Sequence, residues 1–401
     1  MRIWVVNPFD DVPGEGAQQR YPTICSELAR RGHEVTWWTS RWSHRRKQWR
    51  NLKSDSVDYE IVLVDVPEYK KNVSLARIRN HRQFARNLLD LGHRRILDDQ
   101  EPDLVLFSWP PVEASESVLS WREACGCDVV IDLMDVWPDN FLFLAPNNPV
   151  ARSVVKLLLK PWDDQANRIC QTVDRASAQS HTFADFVRKR GGPESVHVCY
   201  LGGQDRFLAK DSLEKNSGEL RLVYIGALGK VYDLETLIHG IAQLKMAGQT
   251  VYLDICGQGE KEADLLSQIE QLEVGELVRC HGYLQGADFY KQLSKGDVGV
   301  IPMFPDSQVA VPYKAGDYFS AGLPIINSLP GEMQELLEQN NCGISYSAGD
   351  VASFVEGVRV YLSDHDRLVD ESGNARQLFT DRFDRSKTYC DWAEWLEGNV
   401  S

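Results

Sequence analysis

Short β-branched runs recur along the chain, with polar stretches of helical period between them. Strand-like runs fall at residues 3–6, 35–39, 61–64, 104–107, 129–131 and 196–199, and helical patterns at 18–31 and 77–97. Gly32 directly after Arg30 and Arg31 reads as a helix end, with a glycine past the last turn and cations inside it. The alternation restarts after Gly202 and Gly203. It predicts strands at 222–225, 251–256, 277–280, 298–301 and 324–327, with helices at 233–247 and 260–272. Repeated strand–helix–strand units imply parallel sheets with right-handed crossovers. Two successive sets imply two doubly wound α/β domains hinged near 201–218. The expected boundaries are an N-terminal domain at 1–203, a C-terminal domain at 204–375 and a final helix, 376–401, that returns to the first domain. In such sheets ligands bind at the carboxyl ends of the strands, so functional residues are sought just after each run.

Composition narrows the classes. Hydrophobic residues make up 43% of the 401 and charged residues 25%, an ordinary globular balance. No run approaches 18 apolar residues, so no membrane-spanning helix is expected, and the start predicts neither signal peptide nor cleavage site. Nine cysteines at irregular spacing, with no CxxC pair, fit reduced cytoplasmic thiols better than disulfides or a zinc site. The net charge of −14 is uneven. Residues 1–200 carry 27 Lys and Arg against 27 Asp and Glu, so the whole excess lies in 201–401 and argues against a nucleic-acid partner. Nine of the 11 tryptophans lie between Trp4 and Trp162, and the other two are Trp392 and Trp395. Two basic segments stand out. Residues 41–53 hold six Lys or Arg and two Trp with no acid, and 70–95 hold eight Lys or Arg and one acid. Cations interleaved with tryptophan fit contact with an anionic membrane at its inner face; a solvated basic face is the plainer reading.

Four strand-end segments carry candidate chemistry. In 7–16, NPFDDVPGEG, Gly14 and Gly16 allow close backbone approach to an anion before a helix; a flexible loop explains them equally well. In 224–230, YIGALGK, Gly226, Gly229 and Lys230 resemble a phosphate loop without a Walker pattern. Within so acidic a half, a diphosphate needs local cations, and Lys230, Lys314 and Arg206 are the candidates. In 311–325, VPYKAGDYFSAGLPI, Pro312 suits a first helical position and Gly322 a cap, which places Lys314 and Asp317 on one face at i,i+3. A carboxylate there can take two ribose hydroxyls while the lysine takes phosphate; a surface ion pair is the plainer reading. Tyr318 is expected to pack. In 129–140, VVIDLMDVWPDN, Asp135 beside Trp137 is a candidate sugar contact, or a turn cap. Trp109, in the SWPP of 108–111, ends the preceding strand in the same way.

Taken together, residues 14–20 with the following LARRGHEV, SWPP, DVWP at 135–138, YIGALGK, CGQGE at 256–260, HGYL at 281–284 and PYKAGDYFSAGLPI at 312–325 resemble the GT-B glycosyltransferases of retaining family 4. Within that family the chain is most similar to the bacterial surface-polysaccharide branch containing N-acetylfucosaminyl transferases. The resemblance implies two Rossmann-like domains facing across a cleft, with the donor in the C-terminal domain and the acceptor in the N-terminal one. It also implies donor contacts from Gly257, Gly282 and Tyr283 beside those above, and acceptor contacts from Arg20, Trp109 and Trp137. Two family features are missing. Asp317 matches the second acid of the EX7E pair, but the first would fall at Val309, and the common arginine after the strand-end glycine is Ala227 here. Lys230 and Lys314 would then carry the diphosphate, and Asp135 stands where the family places a catalytic-site histidine.

The implied reaction moves a sugar from a nucleotide-sugar, expected to be UDP-linked, to a glycan or lipid-linked acceptor, with retention, no metal and no cofactor. A GT-B sugar-nucleotide 2-epimerase and a degenerate GT-B binding subunit are the alternatives. Purified protein separates the three by transferring sugar, epimerising it or doing neither.

Overall fold

The computed structural model describes residues 1–16, 20–52, 57–144, 148–205 and 218–398. Its contacts divide the chain into two units, Met1–Cys199 with Tyr389–Ser401, and Tyr200–Thr388. The expected divide at 203/204 thus falls four residues later than the observed one. Of the expected returning helix 376–401, only the part from Tyr389 belongs to the first unit.

The first unit runs β1 (Arg2–Val6), α1 (Arg20–Arg30), β2 (Glu34–Ser40), a hairpin of β3 (Trp42–Ser43) and β4 (Gln48–Trp49), β5 (Glu60–Val64), α2 (Leu75–Leu97), β6 (Leu104–Trp109), α3 (Ser115–Cys125), β7 (Asp128–Leu133), α4 (Pro149–Thr172), β8 (Arg175–Ala178), α5 (His181–Lys189) and β9 (Val196–Val198). Seven of these strands form one parallel sheet in the order β5-β2-β1-β6-β7-β8-β9. β8, with the sequence RASA, is invisible to a β-branched criterion; its small residues Ala176, Ser177 and Ala178 are buried. Parallel strands covered on both faces are apolar throughout, which is why these runs lack alternation. On one face Ile3, Val5, Leu106 and Val130 meet Tyr389, Trp392 and Leu396. On the other, Trp4 lies edge-on to Trp38 and Trp121 at 5.0 and 4.9 Å. All 11 tryptophans therefore belong to this unit. Gly32, at φ +87°, ends α1 as expected.

The second unit runs β10 (Glu219–Ile225), α6 (Leu234–Met246), β11 (Thr250–Cys256), α7 (Glu262–Gln271), β12 (Val278–Gly282), α8 (Gly286–Leu293), β13 (Val298–Ile301), α9 (Tyr313–Ser320), β14 (Ile325–Asn327), α10 (Glu332–Asn340), β15 (Gly343–Ser345), α11 (Val351–Ser363), α12 (His365–Leu378) and the start of α13 (Arg385–Leu396). Its parallel sheet has the order β12-β11-β10-β13-β14-β15. Pro312 is the residue before α9 rather than its first member, with extended backbone. The strand order reverses between β1 and β6 in the first unit and between β10 and β13 in the second, and a doubly wound sheet opens a crevice at that point.

Candidate active-site residues

In the second unit the strand order reverses between β10 and β13, and the loops after β10 and β11 meet there with α9, which follows β13. The two loops are laced together. Gly226 N–H donates to the Cys256 carbonyl at 3.0 Å, and Leu228 N–H to the Gln258 carbonyl at 3.1 Å. A Cβ at Gly257 would stand 1.8 Å from the Gly226 oxygen, and one at Gly259 2.5 Å from the Leu228 oxygen. Gly257, expected as a donor contact, is thus required for loop-on-loop packing. Tyr318 locks α9 against the sheet. Its hydroxyl accepts from Ile225 N–H at 2.9 Å and donates to the Val300 carbonyl at 3.1 Å, and it is fully buried, as expected.

That lock sets Lys314 against the turn after β10. A Cβ at Gly226 would lie 2.7 Å from the Lys314 Nζ. The ammonium sits over the Tyr224 and Tyr232 rings at 4.2 and 4.3 Å, is buried, and has no hydrogen-bond partner among the described residues. Burial lowers its pKa to about 7. One turn on, Asp317 is half-buried, and its carboxylate has no hydrogen-bond partner among the described residues. Burial pushes its pKa up to about 7, against the pull of the Arg385 charge. Lys314 and Asp317 do not form the ion pair that would explain them as surface residues. A buried cation and a half-buried acid, both unpaired at a strand-order reversal, can together take phosphate and hydroxyl groups. Tyr224 and Tyr232, the aromatic walls of the lysine, were not anticipated as site residues; Tyr224 stood in the quoted YIGALGK.

Other expected donor residues are placed differently. Lys230 is mostly exposed, 3.8 Å from Glu260, and Gly229 has open space around it. Gly282 takes a left-handed φ of +66° at the end of the edge strand β12, and Tyr283 is 55% exposed; no described contact joins them to Lys314 or Asp317. Arg206 lies outside the described residues.

In the first unit, Asn7 Nδ2 donates to Ser108 Oγ at 2.7 Å, tying the loops after β1 and β6. The glycine loop is more occupied than expected. Gly14 has φ +81°, while a Cβ at Gly16 would run into the Arg45–Asp11 ion pair. Asp10 accepts from Tyr21 N–H at 2.8 Å at the start of α1, so that donor is not open to an anion. Two residues expected to touch the acceptor are engaged inside the unit. Arg20 is buried, and its Nε and Nη2 grip Asp132 at 2.9 and 3.0 Å; Tyr21 and Ser177 also donate to this carboxylate at 2.8 and 2.7 Å. An unpaired Asp132 in the middle of the sheet would be costly, and Arg20 neutralises it. Trp109 is wholly buried, its indole N–H donating to the Trp137 carbonyl at 3.1 Å.

Asp135 acts first as a turn cap. It accepts from Val136 N–H at 2.9 Å, Trp137 Nε1 at 3.0 Å and Asn140 Nδ2. Burial raises its pKa against those bonds. Trp137, nearly buried, belongs to a cluster the sequence did not reveal. Arg77 stacks on it at 4.7 Å, and the His81 ring lies 5.6 Å away. Arg77 Nε donates to His81 Nε2 at 3.3 Å, and His81 Nδ1 faces Glu113 at 3.6 Å. Both Glu113 carboxylate oxygens are buried and have no hydrogen-bond partner among the described residues. This cluster forms the polar end of a cavity of about 350 Å³ whose other walls include Val73, Leu75, Phe141, Leu159 and Trp162. Arg77 and His81 come from α2, far in sequence from any quoted motif, and only the charge of 70–95 hinted at them.

The basic segments are partly spent inside the unit. Arg41 pairs with Asp65 and Arg45 with Asp11, both at 2.8 Å, while Trp42 and Arg50 are buried. Arg95 takes Glu60 bidentately, both bonds at 2.6 Å. Lys53 lies outside the described residues. Among the described residues no helix is long and apolar enough to cross a membrane.

Residues 15–202 match the family described as "Glycosyl transferase 4-like domain", and residues 205–378 the family described as "Glycosyl transferases group 1". A glycogen synthase of Mycobacterium tuberculosis is 26% identical over 168 residues, which is 42% of this chain and 40% of that protein. A protein of Escherichia coli K12 named "Putative colanic acid biosynthesis glycosyltransferase WcaL" is 21% identical over 223 residues, covering 54% of this chain and 55% of that one. The chain spans about half the length of the curated relatives it matches. Among solved structures, Anabaena HepE in complex with UDP superposes with a TM-score of 0.66 at 15% identity, over 99% of this chain and all of that one. The fold is accordingly the two-domain α/β GT-B fold.

Proposed function

We propose, for a chain whose two halves match glycosyltransferase domain families, that it transfers a sugar from a UDP-sugar to a glycan or lipid-linked acceptor in surface-polysaccharide synthesis, with retention of configuration. Lys314 carries this reading. A buried ammonium without an acceptor, pressed against a strand-end glycine, is costly unless an anion arrives to meet it. A donor diphosphate beside Gly226 supplies that anion, and Asp317, one turn along the same helix, takes the ribose hydroxyls. UDP is favoured because the structurally similar HepE was solved with it. In the retaining reaction a donor phosphate oxygen takes the acceptor proton. The protein then supplies positioning and charge stabilisation of the leaving diphosphate, chiefly through Lys314, with exposed Lys230 at the rim. No protein nucleophile, metal or cofactor enters this scheme.

The test is a thermal-shift screen of UDP, GDP, ADP and dTDP sugars, since a ligand of the native state raises Tm by linkage. A UDP-sugar should give the largest shift. Asp317→Ala should weaken UDP by about 1.5–3 kcal/mol, the scale of a charged hydrogen-bond partner. An unchanged Kd would remove Asp317 from the site. A 2-epimerase would instead convert the donor without acceptor.

A further inference from the structure

The cavity of the first unit is lined at its polar end by a carboxylate that the fold leaves without a donor. Glu113 sits in the short 3-10 turn Val112–Ala114 just after β6 and is 9% exposed. Both its oxygens are buried with no hydrogen-bond partner among the described residues, and His81 Nδ1, at 3.6 Å, stays beyond hydrogen-bond reach. A buried acid in that state is costly until a donor arrives. Arg77, on the same cavity wall, offers the complement. Its Nε goes to His81 Nε2 at 3.3 Å and its Nη1 to the Asn72 carbonyl at 2.9 Å, which leaves Nη2 without a hydrogen bond among the described residues. The guanidinium is fixed over the Trp137 and Phe9 rings at 4.7 and 5.7 Å. Phe9 follows β1, Glu113 follows β6 and Trp137 follows β7, so three strand-end loops meet here, where the strand order reverses.

We propose that this cavity selects an acceptor sugar by its N-acyl group. The amide N–H donates to Glu113, the acyl carbonyl accepts from Arg77 Nη2, and the acyl methyl lies among the apolar walls. Three features select this class. One acceptor and one donor at the same end of a cavity are the complement of an amide. The charges of Glu113 and Arg77 offset each other, and burial lowers the pKa of His81, so a neutral group fits there better than an ammonium or a phosphate. The other walls, Val73, Leu75, Phe141, Leu159 and Trp162, suit a methyl and the carbon face of a sugar ring rather than bare hydroxyls. At about 350 Å³ the cavity lies near the lower end of small-molecule sites, which suits one substituted sugar rather than a long chain. The proposal rests on the transferase reading and names the substituent its acceptor carries.

The experiment is calorimetric titration of the full chain with the methyl glycosides of N-acetylglucosamine, N-acetylgalactosamine and N-acetylmannosamine, and with the matching hexosides. At least one N-acetylated glycoside should bind roughly tenfold or more tighter than its hexoside. Glu113→Leu should remove that preference, and Glu113→Gln, which keeps one acceptor oxygen, should weaken it less. Without ligand the Leu variant should melt no lower than the parent, because it removes a buried acid that has no donor. UDP affinity, measured on the same samples, should not change in either variant, so a failure of the donor site shows separately from a failure of this one. No binding of any glycoside, equal affinity for hexosides and N-acetylated glycosides, or a preference that survives Glu113→Leu would each overturn the proposal. So would a Leu variant that melts lower, since the acid would then be satisfied in the fold. Decyl glucoside binding as tightly as decyl N-acetylglucosaminide would make an alkyl chain the occupant and overturn it as well.

Discussion

At the scale of single residues, Lys314 and Asp317 are both held against their ordinary ionisation, and each leaves a pH signature. Lys314 titrates near 7 in the fold and near 10.5 in an unfolded chain. Below 7 the full cost of the buried charge is present. Between 7 and 10.5 the unfolded chain holds a proton that the folded one has lost, so this residue makes stability rise with pH across that window. Asp317 has the opposite sign. Its folded carboxyl keeps a proton between about 4 and 7 where the unfolded one has released it, so its contribution falls as pH rises through that range. The two costs meet near neutrality, where a phosphate ligand would relieve the lysine. Lys314→Met should therefore stabilise the unliganded protein at pH 7 by roughly 2–5 kcal/mol, and the gain should shrink towards pH 10. The same variant should lose UDP affinity. Chemical denaturation of both proteins from pH 6 to 10 checks this. An equal stability difference at every pH would mean that the ammonium is already satisfied in the fold.

At the scale of elements, Asp132 of β7 is the buried joint between α1 and β8. Arg20 and Tyr21 reach it from the helix and Ser177 from the strand. Removing the acid leaves the Arg20 charge buried and uncompensated, and breaking such a pair typically costs about 3–5 kcal/mol. Asp132→Ala should therefore lower the denaturation midpoint steeply, while Asp132→Asn, which keeps one acceptor oxygen, should cost less. If the Ala variant were as stable as the parent and only its acceptor KM rose, Arg20 would be the acceptor contact that the family resemblance implied. The lock of α9 onto β10 and β13 by Tyr318 works in the same way. It fixes the face that carries Lys314, which explains why a short helix of eight residues can position a buried cation.

At the scale of the whole molecule, the stereochemical outcome decides how Asp135 is used. Its oxygens already accept from Val136 N–H and from the indole of Trp137, so the carboxylate holds the turn after β7. A residue so engaged can orient a hydroxyl but is poorly placed to take a proton. Asp135→Asn should keep measurable turnover, because the amide oxygen still accepts the Val136 N–H, and product analysis should show the donor's anomeric configuration retained. An inverted product together with an inactive Asn variant would make Asp135 the general base instead.

The periodicity of the chain was enough to reveal most strands of both parallel sheets, but not β8, whose side chains are small, or the short edge strand β15. Strands buried on two faces must be apolar throughout, and the helices between them keep a 3.6 period, so strands and helices announce themselves locally. Glycines with a left-handed backbone, such as Gly32 and Gly322, could be read for the same reason, since their cause lies within one turn of the chain. What a polar side chain faces depends on residues far away, and there the tertiary structure decided. Arg20 is an ion-pair partner because Asp132 lies 112 positions on. Gly257 is a glycine because the Gly226 carbonyl occupies the space of its Cβ. Arg41 and Arg45 of the basic segment 41–53 are spent on Asp65 and Asp11, whereas Val150, Val154, Leu157 and Leu158 of α4, which look like core in any sequence, are 51–74% exposed. Lys314 shows both levels at once: its spacing from Asp317 was legible, but only packing against Tyr224, Tyr232 and Gly226 strips the water from it and leaves a charge in want of an anion.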